Sequence, residues 1–293
     1  MAKQTDVDRL RERRECWIKA LGSYSEKNTI LGQIHDSVYD TAMFKLVQKS
    51  IEMSKKNKME EKVNWAIWKI FRDGHSISLA LGVRKLSDDS PKGMDGDKGV
   101  NSLVAELKDM KKVKIRGKDL LDVQGFTYRT WEEEVNIRCG AEQGTKQDRY
   151  SGLDELRSRV VEKLCGVTSG SLDKNSVVQD DVFDKQIKKV MKDTEKIKVW
   201  VDKHIAHLAT DESSEGVEPI SDQDVWKALE TLCEVANFVS ATFLNGSSWV
   251  SFLPSMMDDF VFENIVTPLV QKDQVEILKE KWVEIERKVG EWG

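Results

Sequence analysis

Proline is scarce in this chain, with four residues in 293, at positions 91, 219, 254 and 268. With so few breakers, long uninterrupted helices are allowed over most of the sequence. No apolar run approaches the roughly 20 residues needed to span a bilayer. The start Met-Ala-Lys-Gln-Thr-Asp lacks the apolar stretch of a secretory signal. The four cysteines, Cys16, Cys139, Cys165 and Cys233, lie far apart and form no Cys-x-x-Cys pair. Together these absences exclude a disulfide scaffold and predict reduced thiols in a cytoplasmic protein with no membrane partner.

Histidine is as rare as cysteine, with four residues, so the chain offers little for a zinc site. There is no G-x-x-x-x-G-K-[ST] loop and no G-x-G-x-x-G turn, which leaves nucleotide hydrolysis by those routes without support. H-E-x-x-H and the G-x-S-x-G elbow are also missing. No cofactor and no metal are expected. An excess of basic charge is lacking too: 46 Lys and Arg against 51 Asp and Glu leave a net charge of −5. That balance argues against a dedicated duplex-binding domain, although local basic segments remain able to meet phosphate.

What the chain does contain is helical periodicity. Hydrophobic residues make up 39% and charged residues 33%, a mixture that suits a folded helical protein. A charge-rich helix is expected over 6–22, ending in Trp17, Ile18, Ala20 and Leu21. A second covers 26–54, with Ile30, Ile34, Val38, Ala42 and Leu46 at helical spacing. A third covers 59–86, with Val63, Ile67, Ile70, Ile77 and Leu81 on one side and Trp68, Phe71 and Leu79 widening the apolar surface. That breadth predicts a central helix buried on much of its circumference. Residues 87–98 read as a loop, and a short helix follows at 100–111. Residues 112–150 hold no sustained period, so short strands and irregular structure are both open. A helix at 152–166 precedes a turn-rich stretch to Asn175.

The second half is more regular. Over 176–208, Phe183, Ile187, Val190, Thr194, Ile197, Val201, His204 and Leu208 recur at alternating spacings of four and three. A loop at 211–216 follows. Ser221 can cap the next helix with Asp224 at its third position, and Ile220 can staple onto Val225. Its seam is Val225, Leu229, Leu232, Ala236, Val239 and Phe243, and Asn245-Gly246 reads as a terminator. A last helix at 260–291 carries Trp282 and Trp292. The expected architecture is an all-α, up-down helical bundle with an irregular middle segment.

One segment carries chemistry. Lys198-Val-Trp-Val-Asp-Lys-His-Ile-Ala-His-Leu208 holds two of the four histidines near the end of the long helix. Trp200, Lys203 and His207 share one helical face, while His204 lies on the apolar stripe beside Val201 and Leu208. By spacing alone, His204 reads as a packed core residue and His207 as a polar residue ending the helix. Asp202-Lys203-His204-Ile205-Ala206-His207-Leu208, however, resembles the signature of the HEPN superfamily in its abortive-infection branch, written R-[ND]-K-x-[IV]-A-H. Leu79-Ala-Leu-Gly-Val-Arg84-Lys-Leu-Ser-Asp88-Asp is similar to that family's earlier helix, which ends in an L-x-x-A-R-L-x-D pattern. Asn101-Ser-Leu-Val-Ala-Glu-Leu and Val235-Ala-Asn-Phe also fit. The resemblance covers roughly 26–246, as the core of a single helical domain over 1–293, with 247–293 a C-terminal helical extension.

The resemblance implies a helical bundle, commonly dimeric, and in many members a metal-independent endoribonuclease of toxin–antitoxin or phage-defence systems. It implies that the motif histidine transfers protons at the ribose 2′-hydroxyl and the leaving oxygen, while the arginine stabilises charge on the phosphate. His207 takes the place of that histidine and Asp202 the place of the polar residue after the arginine. At the arginine's own position stands Val201. Lys203 is one turn from His207, but an ammonium lacks the bidentate fork that grips phosphate. Losing a transition-state cation costs on the order of 3 kcal/mol of barrier lowering. The expected function is therefore a catalytically degenerate HEPN-like protein that binds RNA, a partner protein or an antitoxin, as a homodimer. Two alternatives stand beside it. One is an active endoribonuclease using His207, with His204 or Lys203 replacing the arginine. The other is a structural subunit docking a partner through the helix at 260–291.

Other candidates read more simply. Arg72-Asp73-Gly74-His75 sits in mid-helix with only two residues between Arg and His, as a packed or locally bonded cluster. Arg84 with Asp88 reads as a local ion pair at spacing four. The basic stretch Lys108 to Lys118, and Lys185, Lys188, Lys189, Lys192 and Lys196, can contact phosphate or simply face solvent.

Overall fold

The computed structural model describes residues 5–23, 25–56, 65–89, 102–130, 135, 146–204, 218–244 and 275–292. Among them run nine helices and no strand: α1 (Asp6–Leu21), α2 (Ile30–Lys56), α3 (Trp65–Leu86), α4 (Leu103–Val113), α5 (Gly117–Val123), α6 (Lys146–Cys165), α7 (Asp180–His204), α8 (Asp222–Phe243) and α9 (Val275–Gly290). The all-α bundle expected from periodicity is the fold. The loops at 90–98 and 211–216 and the Asn245-Gly246 terminator lie outside the described residues.

Helix starts are set locally. Thr5 accepts from the Asp8 backbone while Asp8 reaches back, and Ser221 and Asp224 form the same reciprocal box at α8. Ser102 caps α4. Gly22 ends α1 at φ +63, with the Thr29 side chain filling the space a Cβ would need.

The centre of the bundle is the α7–α8 pair, flanked by α3 and α4 on α7 and by α2 on α8. Phe183, Ile187, Val190, Thr194, Ile197 and Val201 on α7 are all buried, as are Val225, Leu229, Leu232, Ala236, Val239 and Phe243 on α8. Each fully buried Val, Leu, Ile or Phe among them stabilises the fold by about 1.5–3 kcal/mol relative to exposure. Thr194 stays in the core by donating to the Val190 carbonyl (2.8 Å). In α9, Leu278, Trp282, Ile285 and Val289 are buried, the helix lies on α2, and Trp292 meets Trp226 edge to face. Its apolar stripe is thus consumed within the chain, leaving Ile277 and Val283 exposed.

One expectation changes, and one left open is settled. α3 buries Leu79, Ala80, Val83 and Leu86, not the stripe of Ile70, Ile77 and Leu81, which is 73%, 41% and 42% exposed. Only its C-terminal half is a core helix; its first half touches α2 through Trp68 and His75 stacked on Phe44. The middle segment contains no strand among the described residues, only a single bridge between Arg116 and Val177. Residues 127–129 are instead tied to α6 by side chains. Thr127 N donates to Asp154, Arg129 N to Ser158, and the Tyr128 hydroxyl to the buried Glu162 (2.7 Å). These bonds satisfy backbone and buried polar groups where no ladder exists, so the sequence shows no period.

Candidate functional site

The site forms where the C-terminal end of α3 meets the C-terminal end of α7. Val201, at the arginine position of the motif, points into the core with 3% of its surface exposed. It continues the Ile187–Val190–Thr194–Ile197 stripe, so helical periodicity fixes its inward direction. Asp202, the next residue, turns to the surface at the flank of α3. Lys203 is exposed, and Trp200 is half-buried against the core. His204 is the last residue of α7, while His207 lies outside the described residues.

Spacing alone did not reveal the partner of Asp202. Arg84, 118 residues earlier on α3, donates from Nε to Asp202 Oδ1 at 2.6 Å. Its Nη1 also meets Asp88 at 3.5 Å, so the local pair expected from spacing is present but is the longer of the two. Both partners of the shorter pair are partly exposed, Arg84 at 36% and Asp202 at 49% of the side chain. The hydrogen bond to Asp202, aided by the nearby carboxylates, holds the Arg84 guanidinium above its usual pKa, so it is a permanent cation. The signal that could have found it is the L-x-x-A-R-L-x-D pattern, which puts Arg84 one turn before Asp88 at the end of α3.

The arrangement therefore brings a guanidinium to the motif by a different route, from a neighbouring helix rather than from α7 itself. Because Arg84 is shared between two carboxylates, its fork is engaged at the acid that follows the motif's arginine position. Ser102, at the start of α4, donates to the Leu86 carbonyl (3.1 Å) and bonds the Asp88 carbonyl, which pins the chain just after Arg84. No group of three or more His, Cys, Asp or Glu side chains is gathered at metal-binding distance among the described residues.

The basic stretches resolve differently. Lys108 pairs with Asp89 (3.0 Å), Lys111 with Asp184 (2.6 Å), Lys114 with Asp180 (2.7 Å) and Arg116 with Asp6 (2.9 Å), so this run is divided among four acids. On α7, Lys189 pairs with Glu234 and Lys196 with Asp224 (2.9 Å). Lys185, Lys188 and Lys192 are exposed along one face. Arg72 bonds its neighbour Asp73 (3.0 Å) and His75 stacks on Phe44, so Arg72 to His75 is the locally bonded, packed cluster that its spacing implied. Of the described helices, none is long and apolar enough to cross a membrane.

No curated protein and no solved structure matches the chain at a significant level. The family model HEPN_AbiU2, described as AbiU2, matches residues 24–260. The matched span takes in the end of α3, the α7 motif and α8, and it stops before α9. With most of its length matched, the chain belongs to the AbiU2 family of HEPN proteins.

Proposed function

We propose that this chain is an abortive-infection HEPN protein that acts by binding, to RNA or to a partner protein, and does not cleave RNA by the motif's usual chemistry. The observation that carries this reading is Val201, a buried core residue where the motif calls for a phosphate-gripping arginine. The Arg84 guanidinium that reaches the same end of α7 is held by Asp202 and Asp88, so the function lost at position 201 is not simply transferred. A fixed donor aimed at developing charge is worth a hundredfold or more in rate, roughly 3 kcal/mol.

A second reading rests on that same Arg84. If RNA phosphate displaces Asp202, the guanidinium meets a motif whose histidine is His207, and a metal-independent endoribonuclease results. Incubation of purified protein with RNA in EDTA separates the two. The binding reading expects no cutting by wild type and RNA or partner retention that survives His207→Ala. Cutting by wild type that is lost in both His207→Ala and Arg84→Ala replaces it with the enzyme reading.

The proposal includes a homodimer. Ile70, Ile77 and Leu81 form an exposed apolar stripe on α3, the helix that also carries Arg84. Large apolar side chains exposed along one helix face support this reading.

A further inference from the structure

α7 runs between two ion pairs. Asp202 near its end holds Arg84, and Asp180 at its start holds Lys114. The two lie about 33 Å apart along the helix at 1.5 Å per residue. Beside Lys114 opens a cavity of about 490 Å³, between the first half of α1 and the link from α4 to α5. It is remote from the motif, and its volume is that of a small-molecule site.

Two rails of cations face it. Arg9 and Arg13 are one turn apart on α1 and share a face. Lys114 and Arg116 form the other rail, with Ile115 between them directed into the core at 2% exposure. That alternation is held by the backbone. Lys114 has φ +55, the only positive φ outside glycine among the described residues. Val178 N donates to the Ile115 carbonyl (2.8 Å) and Gly117 N to the Ser176 carbonyl (2.9 Å). A Cβ at Gly117 would lie 2.8 Å from Leu172 and Val161 side-chain carbons and force them to shift. The segment is therefore fixed with both cations on one side. Leu10, Val113, Ile115 and Val177 supply an apolar floor.

Asp6 and Asp119 are the acids of the lining, and Asp180 meets Lys114 (2.7 Å) from outside it, so each of the four cations has a carboxylate near it before any ligand arrives. Asp6 is shared by Arg116 (2.9 Å) and Arg9 (4.0 Å), and Arg13 is 3.7 Å from Asp109, which lies outside the lining. These pairs are solvent-exposed, and exposed pairs contribute little whatever their length, so they exchange for a better anion. Guanidinium forks match phosphate oxygens two at a time. We infer that this cavity binds a nucleoside polyphosphate, its phosphates between the two rails and its base on the apolar floor. The inference does not depend on whether the motif cuts RNA.

Isothermal titration of the full chain with ATP at low salt tests it, with pyrophosphate and a short single-stranded RNA as the other probes. ATP binds, and Arg9→Gln/Arg13→Gln weakens it at least about tenfold with the ligand-free melting temperature unchanged, since both side chains are more than half exposed. Asp6→Asn, which removes the carboxylate shared by Arg9 and Arg116, tightens it. No binding up to about 1 mM, or equal affinity in the double variant, overturns the site. Pyrophosphate binding as tightly as ATP overturns the nucleoside part. RNA that binds the same arginines more tightly than ATP assigns the cavity to RNA instead.

Discussion

Val201 meets the core one turn after Ile197, so a guanidinium at that position has no route to solvent along α7. Val201→Arg therefore destabilises the fold by about 3–5 kcal/mol, the scale of an uncompensated buried charge. A fall in the urea midpoint checks this. A variant as stable as wild type that also gains RNA cutting would mean that the side chain reaches the motif after all. His75 supplies a second residue-scale prediction. Its ring stacks on Phe44, and burial pulls its pKa below the ordinary value, with Asp222 opposing in part. Lys45 lines the same pocket. The neutral ring is the folded form, so the unfolded chain takes up the proton first. Stability falls as pH drops below the unfolded histidine value of about 6.5 and levels off below the folded pKa. His75→Phe flattens that slope in melts taken across the range; an unchanged slope rules His75 out as its source. Of the site itself, the inward turn of Val201 was legible from periodicity. The Arg84–Asp202 contact was not, because 118 residues separate its partners and spacing reports only neighbours on one helix.

The end of α8 shows how elements are held by groups that no local pattern announces. Its last carbonyls have no partner within the helix. Arg157 Nη1 donates to Ala241 (2.7 Å), Gln124 Nε2 to Thr242 (2.8 Å), and Arg14 to Phe243 and Leu244 (3.3 and 2.9 Å). Donors from α1, α6 and the residue after α5 thus converge on one terminus, where its dipole also favours cations. Arg157→Met removes one charged bond to a part-buried carbonyl and costs roughly 1–3 kcal/mol, read as a lower urea midpoint with unchanged helical content. A loss below about 0.5 kcal/mol would mean that water replaces the guanidinium. Periodicity found α8 with its Ser221 cap and α7 with a start a turn later than expected, because each carries one apolar stripe. α3 carries two, one of Ile70, Ile77 and Leu81 and one of Leu79, Val83 and Leu86, and only the neighbouring helices decide which is buried. In the middle segment, the hydrogen bonds that hold residues 127–129 come from α6, so nothing in their own spacing could reveal them.

At the scale of the molecule, the rejected α3 stripe becomes the feature to explain. Ile70, Ile77 and Leu81 stand at spacings of seven and four, with Gly74 between them, where an added Cβ would meet nothing within 4 Å. Large side chains flanking a glycine at these spacings let a second helix approach closely. An antiparallel copy of the same helix would set Ile77 of each chain over Gly74 of the other, the kind of self-complementary patch that a two-fold dimer requires. The proposed homodimer then buries this stripe, with the Arg84–Asp202 ends of the two copies at opposite ends of the antiparallel α3 pair. Ile70→Lys/Ile77→Lys shifts the protein from dimer to monomer in sedimentation analysis at micromolar concentration, while the monomer's own stability changes by less than about 0.5 kcal/mol, as for exposed positions. A wild type that sediments as a monomer, or a variant that remains dimeric, removes α3 as the interface. If the variant is monomeric and RNA or partner retention is lost with it, binding belongs to the assembled pair and not to the single chain.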